Sequence, residues 1–305
     1  MTFQRVLRVA ALIFTIACMA GTAAGADYRY SVIDVPGASA TAAYRINAQG
    51  DVVGRYTDTT GQWGFLLSAG TFTTIKIPGS NMTLANGIND RGDIVGIYRV
   101  GTALHGFLLQ GSDVTAIDVP GALATRAFDI NARGDVTGEY QDAVLRLWHG
   151  FSWRDGQFAF FDAPDSNMTS GYGINVFGDI VGHYTLPGSG KMYGYIYRHG
   201  EFTTLNHPSS GNRMSCGMGI GVHGEVVGHY TDVNAFNQDT QSYSIFGYLY
   251  QEGAFQTLQA PGARETYATS IAPNGVIAGY FWTYDTATKW TVHAFVAEPI
   301  NPAGR

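Results

Sequence analysis

One pattern recurs along this chain and decides what the chain can fold into. Its clearest copy runs from Ile88 to Tyr98 and has the order Ile-Asn-Asp-Arg-Gly-Asp-Ile-Val-Gly-Ile-Tyr. Units of this length cannot bury a core alone, so they must stack on one another. The copies begin at Ile46, Ile88, Ile130, Ile174, Ile220 and Ile271, so successive copies lie 42, 42, 44, 46 and 51 residues apart.

Each unit contains four short segments in which apolar and aromatic residues alternate with polar ones, which is the period of a β-strand. In the second unit these segments are 83–89, 93–100, 105–110 and 114–119. The Asn-x-x-Gly-Asp sequence between the first two segments predicts a tight hairpin, because Asn initiates turns and Gly accepts a positive φ. A Pro ends the fourth segment of every unit, which suits a strand end or an edge.

The two ends of the chain indicate how the stack closes. Residues 28–36 match the fourth segment alone, whereas the last unit has segments at 269–277, 279–282 and 292–298 and no fourth. An N-terminal strand that completes the last unit would close a ring and remove exposed sheet edges. An open solenoid is the alternative, but it needs atypical capping repeats, and the sequence has none. We therefore predict an all-β fold, a six-bladed β-propeller of four-stranded blades that is closed by the N-terminal strand.

Residues 1–26 have the three-part layout of a secretory signal peptide. Arg5 and Arg8 give a basic start, residues 9–20 form an apolar run, and small residues at 24–26 precede the expected cleavage point. The apolar run is short for a membrane span, so a retained anchor is the weaker alternative. We expect an exported protein, either periplasmic or extracellular.

Charge and cysteine content narrow the classes of partner. Without the signal the chain keeps 16 basic and 24 acidic residues, so its formal net charge goes from −6 to −8. A negative surface disfavours nucleic acids and anionic membranes. Cys18 leaves with the signal, so Cys216 is the only Cys of the mature chain, and we expect a buried apolar residue there. We predict a monomer with one propeller domain at 27–300, a short tail at 301–305, and no stable membrane insertion after cleavage.

The unit resembles the HAF family of extracellular repeats, which is named for a His-Ala-Phe tripeptide. That tripeptide stands at 293–295, with His-Gly-Phe variants at 105–107 and 149–151. The Ile-Asn, Gly-Asp and Val-Gly pairs also match, although the fifth and sixth copies lack the Asn. The resemblance covers almost all of residues 28–298. It implies an exported bacterial protein, and the family offers no established activity or active site.

The eight His, and the acidic residue in every turn except the last, where Val276 stands, raise the question of a metal site. His105, His149 and His293 occupy equivalent places at the start of the third segment in different units, so we expect them to pack or hydrogen-bond locally and not to converge. A residue repeated in every turn serves the turn better than it serves one site. We expect no metal and no cofactor. The acidic series is Asp51, Asp93, Asp135, Asp179 and Glu225.

A second His pair lies in the second segment of adjacent units. His183 and His229 precede the Tyr of the repeated pattern. Because this position varies widely, the fold does not depend on it, and we expect it to be exposed. The equivalent residues are Arg55, Ile97, Glu139 and Tyr280.

Positions where the copies disagree near the ring axis are candidates for a specific site. If the first segments are innermost, the interblade linkers and the loops between second and third segments share one face. Arg45, Arg126 and Asp129 are then candidates for contacting an anionic or polyhydroxyl ligand. The alternative is a solvated or mutually paired channel lining. Trp63 and Tyr193 are expected to be exposed loop aromatics that stack on sugar rings, although a structural role fits them equally.

These observations favour a secreted β-propeller that acts as a binding or interaction module. Its ligand would be an extracellular glycan or protein, held at the face of the linkers and the second-to-third-segment loops. The first alternative is a propeller enzyme, namely a lyase, lactonase or glycosidase with a site at the mouth of the channel. The second is a passive envelope component. The sequence contains no nucleophile elbow, phosphate-binding loop or CxxC motif in a usable context.

Overall fold

The computed structural model describes residues 9–10, 28–238, 241–286 and 289–300. The expected all-β fold is confirmed, since the described part of the chain is built from strands plus one short 3-10 helix, Pro208–Ser210. Consecutive strands pair antiparallel in four-stranded units that follow the sequence repeat. We number the units 1 to 6 in the order of their first strands.

The strands of unit 1 are Ala40–Ile46, Val52–Asp58, Gly61–Ser68 and Thr71–Ile75. Those of unit 2 are Met82–Ile88, Ile94–Val100, Ala103–Gln110 and Asp113–Ile117. Those of unit 3 are Ala124–Ile130, Val136–Gln141, Trp148–Arg154 and Gln157–Phe161. The strands of unit 4 are Met168–Ile174, Ile180–Thr185, Met192–Arg198 and Glu201–Thr204. Those of unit 5 are Ser215–Ile220, Val226–Asn237, Ser242–Gln251 and Ala254–Leu258. Those of unit 6 are Glu265–Ile271, Ile277–Thr286, Lys289–Pro299 and Tyr28–Val32. A short strand, Val9–Ala10, pairs with Thr71–Ile75.

The strand Tyr28–Val32 belongs to unit 6 although it precedes unit 1 in the sequence. Tyr28–Val32 pairs antiparallel with the third strand of that unit, in a register that places Tyr28 opposite Pro299 and Val32 opposite Phe295. The Ile33 backbone N–H extends the pairing by donating to the Ala294 carbonyl at 3.0 Å. Residues 28–32 and 295–299 are therefore neighbours in one sheet.

The Asn-x-x-Gly-Asp sequence forms the hairpin between first and second strands, as predicted. In unit 2 the Asn89 side-chain oxygen accepts from the backbone N–H groups of Arg91 at 3.0 Å and Asp93 at 3.1 Å. Its amide nitrogen donates to Asp93 at 2.9 Å and to the Asn131 carbonyl of unit 3 at 3.3 Å. The Asn therefore closes its own turn and also joins neighbouring units, and the acidic residue serves that turn.

A β-bulge interrupts the first strand of each unit, and the sequence did not predict it. In every unit the pairing register between the first and second strands shifts just before the leading Ile, as between Ala43 and Arg45 in unit 1. A bulge bends the strand and re-aims the side chains around it. Here it lies where the first strands approach one another. The equivalent shifts are Ala85/Gly87, Ala127/Asp129, Gly171/Gly173, Gly217/Gly219 and Ala268/Ser270.

The hydrophobic core lies between neighbouring units, so each interface supports the next. Val53 and Ile75 of unit 1 pack in one cluster with Ala85 and Phe107 of unit 2. The Gly of the repeated Val-Gly pair makes room for this packing. A Cβ on Gly96 would lie 1.9 Å from the Leu84 carbonyl oxygen and 2.8 Å from the Phe107 ring.

The expected signal peptide, residues 1–26, and the expected tail, residues 301–305, lie outside the described residues apart from Val9–Ala10. Within the described ranges, no helix has the length and hydropathy needed to cross a bilayer.

Candidate functional site

All six first strands converge on one small cavity. Its lining includes the leading Ile of every unit together with adjoining turn residues, and its volume is about 110 Å³. A water molecule occupies about 30 Å³ in the liquid, so this space has room for only a few waters. The convergence places the positions next to the leading Ile beside a common axis. The six Ile residues are Ile46, Ile88, Ile130, Ile174, Ile220 and Ile271.

Arg45 lies across this axis and binds backbone oxygens of several units. Its Nη1 atom donates to the carbonyls of Tyr44 at 2.8 Å and Thr269 at 2.5 Å. Its Nη2 atom donates to the carbonyl of Met218 at 2.8 Å and to that of Tyr172. One side chain of unit 1 thereby holds backbone of units 4, 5 and 6.

Asp129 of unit 3 neutralises this guanidinium. Arg45 Nε lies 3.0 Å from Asp129 Oδ1, and both side chains are buried. The carboxylate also accepts from the backbone N–H groups of Ile130 at 2.9 Å and Ile174 at 3.0 Å. Burial raises the pKa of the Asp129 carboxyl, while Arg45 and the two N–H groups oppose that shift. The two candidates are thus paired with each other, and ligand contact by either stays a prediction.

Arg126 lies three residues before Asp129 in the strand Ala124–Ile130 and belongs to a second polar cluster. Its Nη1 atom bonds Glu139 Oε1 at 2.9 Å, and its guanidinium stacks over the Trp148 ring at 4.0 Å. Ser170 of unit 4 donates to the other oxygen of Glu139. Burial raises the pKa of the Glu139 carboxyl, against the effect of Ser170 and Arg126. Arg126 remains partly exposed, so it stays a candidate for ligand contact.

The expectation that His183 and His229 are exposed is wrong. His183 is 4% exposed and His229 is 8% exposed. Both face the axis because their position pairs across the sheet with the variable position of the first strand, which is Ser170 opposite His183 and Cys216 opposite His229. The position varies because the copies pack into an asymmetric interior, not because it lies on the surface.

The two imidazoles are buried without full hydrogen bonding. Among the described residues, neither ring nitrogen of His183 nor Nδ1 of His229 has a hydrogen-bond partner. Aromatic rings pack on both imidazoles, with Tyr172 at 5.4 Å from His183 and Tyr267 at 4.8 Å from His229. Burial lowers the pKa of His183 to about 4 and that of His229 to about 3, so both rings are neutral at pH 7. Among the residues that the structure describes, no group of three or more His, Cys, Asp or Glu is placed to hold a metal ion.

Cys216 lies in the same cluster and is buried, as expected from its sequence context. Burial raises the pKa of its thiol well above the ordinary value. A thiol of this kind is a poor nucleophile, because the thiolate is the reactive form.

Trp63 is not an exposed loop residue, which corrects the expectation. It lies in the strand Gly61–Ser68 and is 5% exposed. Its indole N–H donates to Thr60 at 2.8 Å, and the Lys76 ammonium lies 3.8 Å from its ring. Lys76 covers the face that a sugar would use.

Tyr193 is partly exposed and lies in the strand Met192–Arg198. Its ring stacks on Tyr184 at 5.1 Å, and the Lys191 ammonium lies 4.8 Å from its centre. Its role in ligand binding stays a prediction, and its position is beside the larger cavity of the structure.

That larger cavity lies between units 4 and 5 and has a volume of about 520 Å³. Ligand pockets in proteins measure about 300–1,000 Å³. The cavity opens where the loop after the second strand of unit 4, the linker into unit 5 and the second strand of unit 5 meet. The sequence did not point to it. Its lining is Gly190, Met192, Asn212, Arg213, Met214, Thr231 and Val233.

The His residues of the third strands hydrogen-bond locally, as expected. His105 Nδ1 lies 3.0 Å from Asp118, His149 Nδ1 lies 2.7 Å from Asp162, and His293 Nδ1 lies 2.6 Å from Asp34. Each Asp lies two residues before the Pro that ends the fourth strand of the same unit. Unit 1 has Trp63 and Lys76 at these two positions.

No family model matches this sequence, and no curated protein matches it. Among solved structures, a protein of unknown function from Dyadobacter fermentans aligns with a TM-score of 0.52 and 9% identity, over 90% of this chain and 100% of that chain. A gluconolactonase-like protein aligns with a TM-score of 0.50 and 13% identity, over 90% and 93%. The β-propeller domain of the Trilobed protease from Pyrococcus furiosus aligns with a TM-score of 0.49 and 11% identity, over 84% and 79%. Of these three structures, the last is described as a β-propeller domain. At these identities the likeness concerns the fold alone.

Proposed function

We propose that this protein is a secreted, monomeric, six-bladed β-propeller that acts as a binding module for an extracellular glycan or protein. The repeat number and the pairing of Tyr28–Val32 with unit 6 support the blade count and the closure. Contacts between units 6 and 1 support them too. Thr269 Oγ1 of unit 6 donates to the Ala43 carbonyl of unit 1 at 3.0 Å, and Ala278 packs in one cluster with Phe65.

Secretion rests on the sequence of residues 1–26 and on the resemblance to HAF extracellular repeats. The basic start, short apolar run and small residues at 24–26 are typical of an exported precursor. The mature chain has one Cys and cannot form an intramolecular disulfide bond. This does not argue against secretion, because the interfaces between units stabilise the fold.

The observation that carries the binding proposal is the cavity of about 520 Å³ between units 4 and 5. It lies on the face of the linkers and the second-to-third-strand loops, where the repeats differ in length and sequence. The opposite end of the axis is filled by Arg45 and Asp129 and leaves only about 110 Å³. A ligand of ordinary size therefore fits the first face and not the second.

A blocking variant tests this site. Met192→Trp places a large ring in the cavity, and Leu104→Trp is its matched control, because Leu104 occupies the same repeat position in unit 2. Trp148 stands naturally at this position in unit 3, so the fold accepts Trp there. The purified mature protein is applied to a glycan array, and each hit is titrated against both variants.

We expect Met192→Trp to weaken binding of each hit at least tenfold, while Leu104→Trp leaves binding unchanged. Hits that bind both variants equally would place the ligand elsewhere and refute this site. A blank array would count against the glycan form of the proposal.

A lyase, lactonase or glycosidase with a site at the channel mouth is the second candidate. His183 favours it, because among the described residues its buried ring nitrogens have no hydrogen-bond partner, and its cross-strand neighbour Ser170 bonds Glu139. The test is turnover of lactones and glycosides by the wild type and by His183→Gln. Turnover that the variant loses would support an enzyme, and absence of turnover across the panel would count against it.

A further inference from the structure

We propose that the cavity between units 4 and 5 binds a carboxylate group attached to an apolar body, and that Arg213 is the residue that recognises the carboxylate. This inference rests on the proposed function, because it names the chemistry of the ligand at the same site. Two observations support it, namely the residues that line the cavity and the hydrogen bonding of Arg213, the charged residue of that lining.

The Arg213 guanidinium is held in place without being neutralised. It lies 4.0 Å from the centre of the Tyr243 ring, and the Arg213 backbone N–H donates to the Ser210 carbonyl at 2.9 Å. Within the described ranges, no carboxylate or carbonyl oxygen accepts a hydrogen bond from its side chain. An aromatic face that orients a guanidinium leaves the planar fork of N–H groups free for a ligand.

Other arginines of the chain show what Arg213 lacks. Six of them each form an ion pair with a carboxylate of the protein. Arg213 therefore differs from them in both position and pairing. The paired residues are Arg45, Arg91, Arg126, Arg133, Arg154 and Arg198.

The walls of the cavity determine what kind of chemical group the ligand carries next to its carboxylate. Met192, Met214 and Val233 supply apolar surface, and Met adapts its shape to an irregular ligand. Asn212 and Thr231 supply a few neutral polar groups. A small highly charged ion such as phosphate would leave the apolar walls unused, whereas a carboxylate on an apolar body would use both parts of the site. Arg binds a planar carboxylate through two parallel N–H···O bonds.

The local charge also favours an anion, although the chain as a whole is negative. Lys191 lies beside the cavity, and its ammonium donates to the Gly211 carbonyl at 2.7 Å. Asp232 lies between the lining residues Thr231 and Val233 in the sequence, and its Oδ1 accepts from the backbone and the side chain of Asn234 at 2.8 Å and 3.1 Å. Two cations, Arg213 and Lys191, therefore stand against this one carboxylate.

The repeat supplies a matched control for Arg213. Arg264 occupies the same position in the linker into unit 6 and also lies over a Tyr ring, Tyr284 at 4.8 Å. Unlike Arg213, it is bonded to protein, since its Nη2 atom donates to Ser242 at 2.8 Å. Arg264→Met removes the same charge at an equivalent place outside the cavity.

The experiment uses calorimetric titration of the purified protein with phenylacetate, with its neutral counterpart phenylacetamide, and with inorganic phosphate. N-acetyl-phenylalanine and its amide repeat the comparison for the carboxylate at the end of a peptide. We expect the carboxylates to bind and the amides and phosphate to bind at least tenfold more weakly. The stronger of the two carboxylates then identifies a free acid or a peptide end as the source.

Arg213→Met should weaken carboxylate binding by about ten- to hundredfold, because charged hydrogen bonds are lost. Arg213→Lys should recover only part of it, and Arg264→Met should bind as the wild type does. Equal binding of acid and amide, or an unaffected Arg213→Met, would overturn the inference.

Failure of this inference can be told apart from failure of the proposed function. If Met192→Trp abolishes binding of array hits while Arg213→Met does not change it, the cavity is a binding site but does not select carboxylates. If Met192→Trp has no effect on any bound compound, the site itself is refuted.

Discussion

Arg45 offers the sharpest test of how the units are held together. Arg45→Met removes four donated hydrogen bonds to carbonyls and leaves Asp129 buried without its cation. Breaking a buried pair on one side costs about 3–5 kcal/mol, because the remaining charge loses its compensation. We expect the free energy of unfolding to fall by about that amount. An exposed ion pair would give less than about 1 kcal/mol.

The measurement is urea denaturation followed by fluorescence and by circular dichroism, for a double-mutant cycle of Arg45→Met and Asp129→Asn. Asn removes the buried charge and keeps one acceptor for the backbone N–H groups. The double variant should therefore be less destabilised than the sum of the single variants, by about 1–3 kcal/mol. Additive effects, or a loss below about 1 kcal/mol for Arg45→Met, would refute the role assigned to the pair.

Three further outcomes are expected. Burial lowers the pKa of His183 from 6.5 to about 4. Below pH 6.5 the imidazole is therefore protonated in the unfolded chain but stays neutral in the folded chain. The contribution to stability is fully present above pH 6.5 and is lost as the pH falls towards 4. His183→Gln should then flatten the dependence of unfolding free energy on pH by about 1.4 kcal/mol per pH unit in that window, and unchanged slopes in urea titrations would contradict this. Gly96→Ala should cost about 1–3 kcal/mol in thermal unfolding, because its Cβ meets the Leu84 carbonyl oxygen, and a neutral result would argue against the packing. The Cys216 thiol should react with a thiol reagent only after denaturation, and labelling of the native protein would show that the site opens.

The strands and their hairpins could be predicted because they depend on residues close in sequence. Asn89, Gly92 and Asp93 define their turn within five positions, and alternation defines the strands beside it. The pairing of Tyr28–Val32 with unit 6 could also be predicted, since a missing fourth segment at one end matches a surplus one at the other.

The axis could not be predicted in the same way. Arg45 and Asp129 were selected as candidates for a ligand, with mutual pairing as the alternative. The structure shows that they pair, but their contact joins units 1 and 3, and nothing local in the sequence specifies those partners. The bulge beside Arg45 was missed because register depends on two strands at once. His183 was placed on the surface because variation was equated with exposure, whereas a ring of unlike side chains can fill an asymmetric interior.

Some structural pairs were present in the sequence without being recognised. The residue two positions before the Pro of the fourth strand is Asp in the units whose third strand begins with His, and Lys in the unit that has Trp63 there. Comparing the two positions across repeats would have shown that Lys76 covers Trp63. Arg213 could have been noticed through the longer linker into unit 5, but its cavity depends on side chains from three separate segments.

The pairing of Tyr28–Val32 with Phe295–Pro299 sets an order for assembly. Ser31 and Val296 are partners across 265 residues, so this strand cannot find its place until the whole repeat array has been synthesised. Before Tyr28–Val32 pairs with it, the third strand of unit 6 is an open edge, and an open edge accepts any matching strand. At high concentration the matching strand can come from a second copy, which would produce linked molecules by exchange of identical segments. Refolding at low protein concentration should therefore favour single molecules.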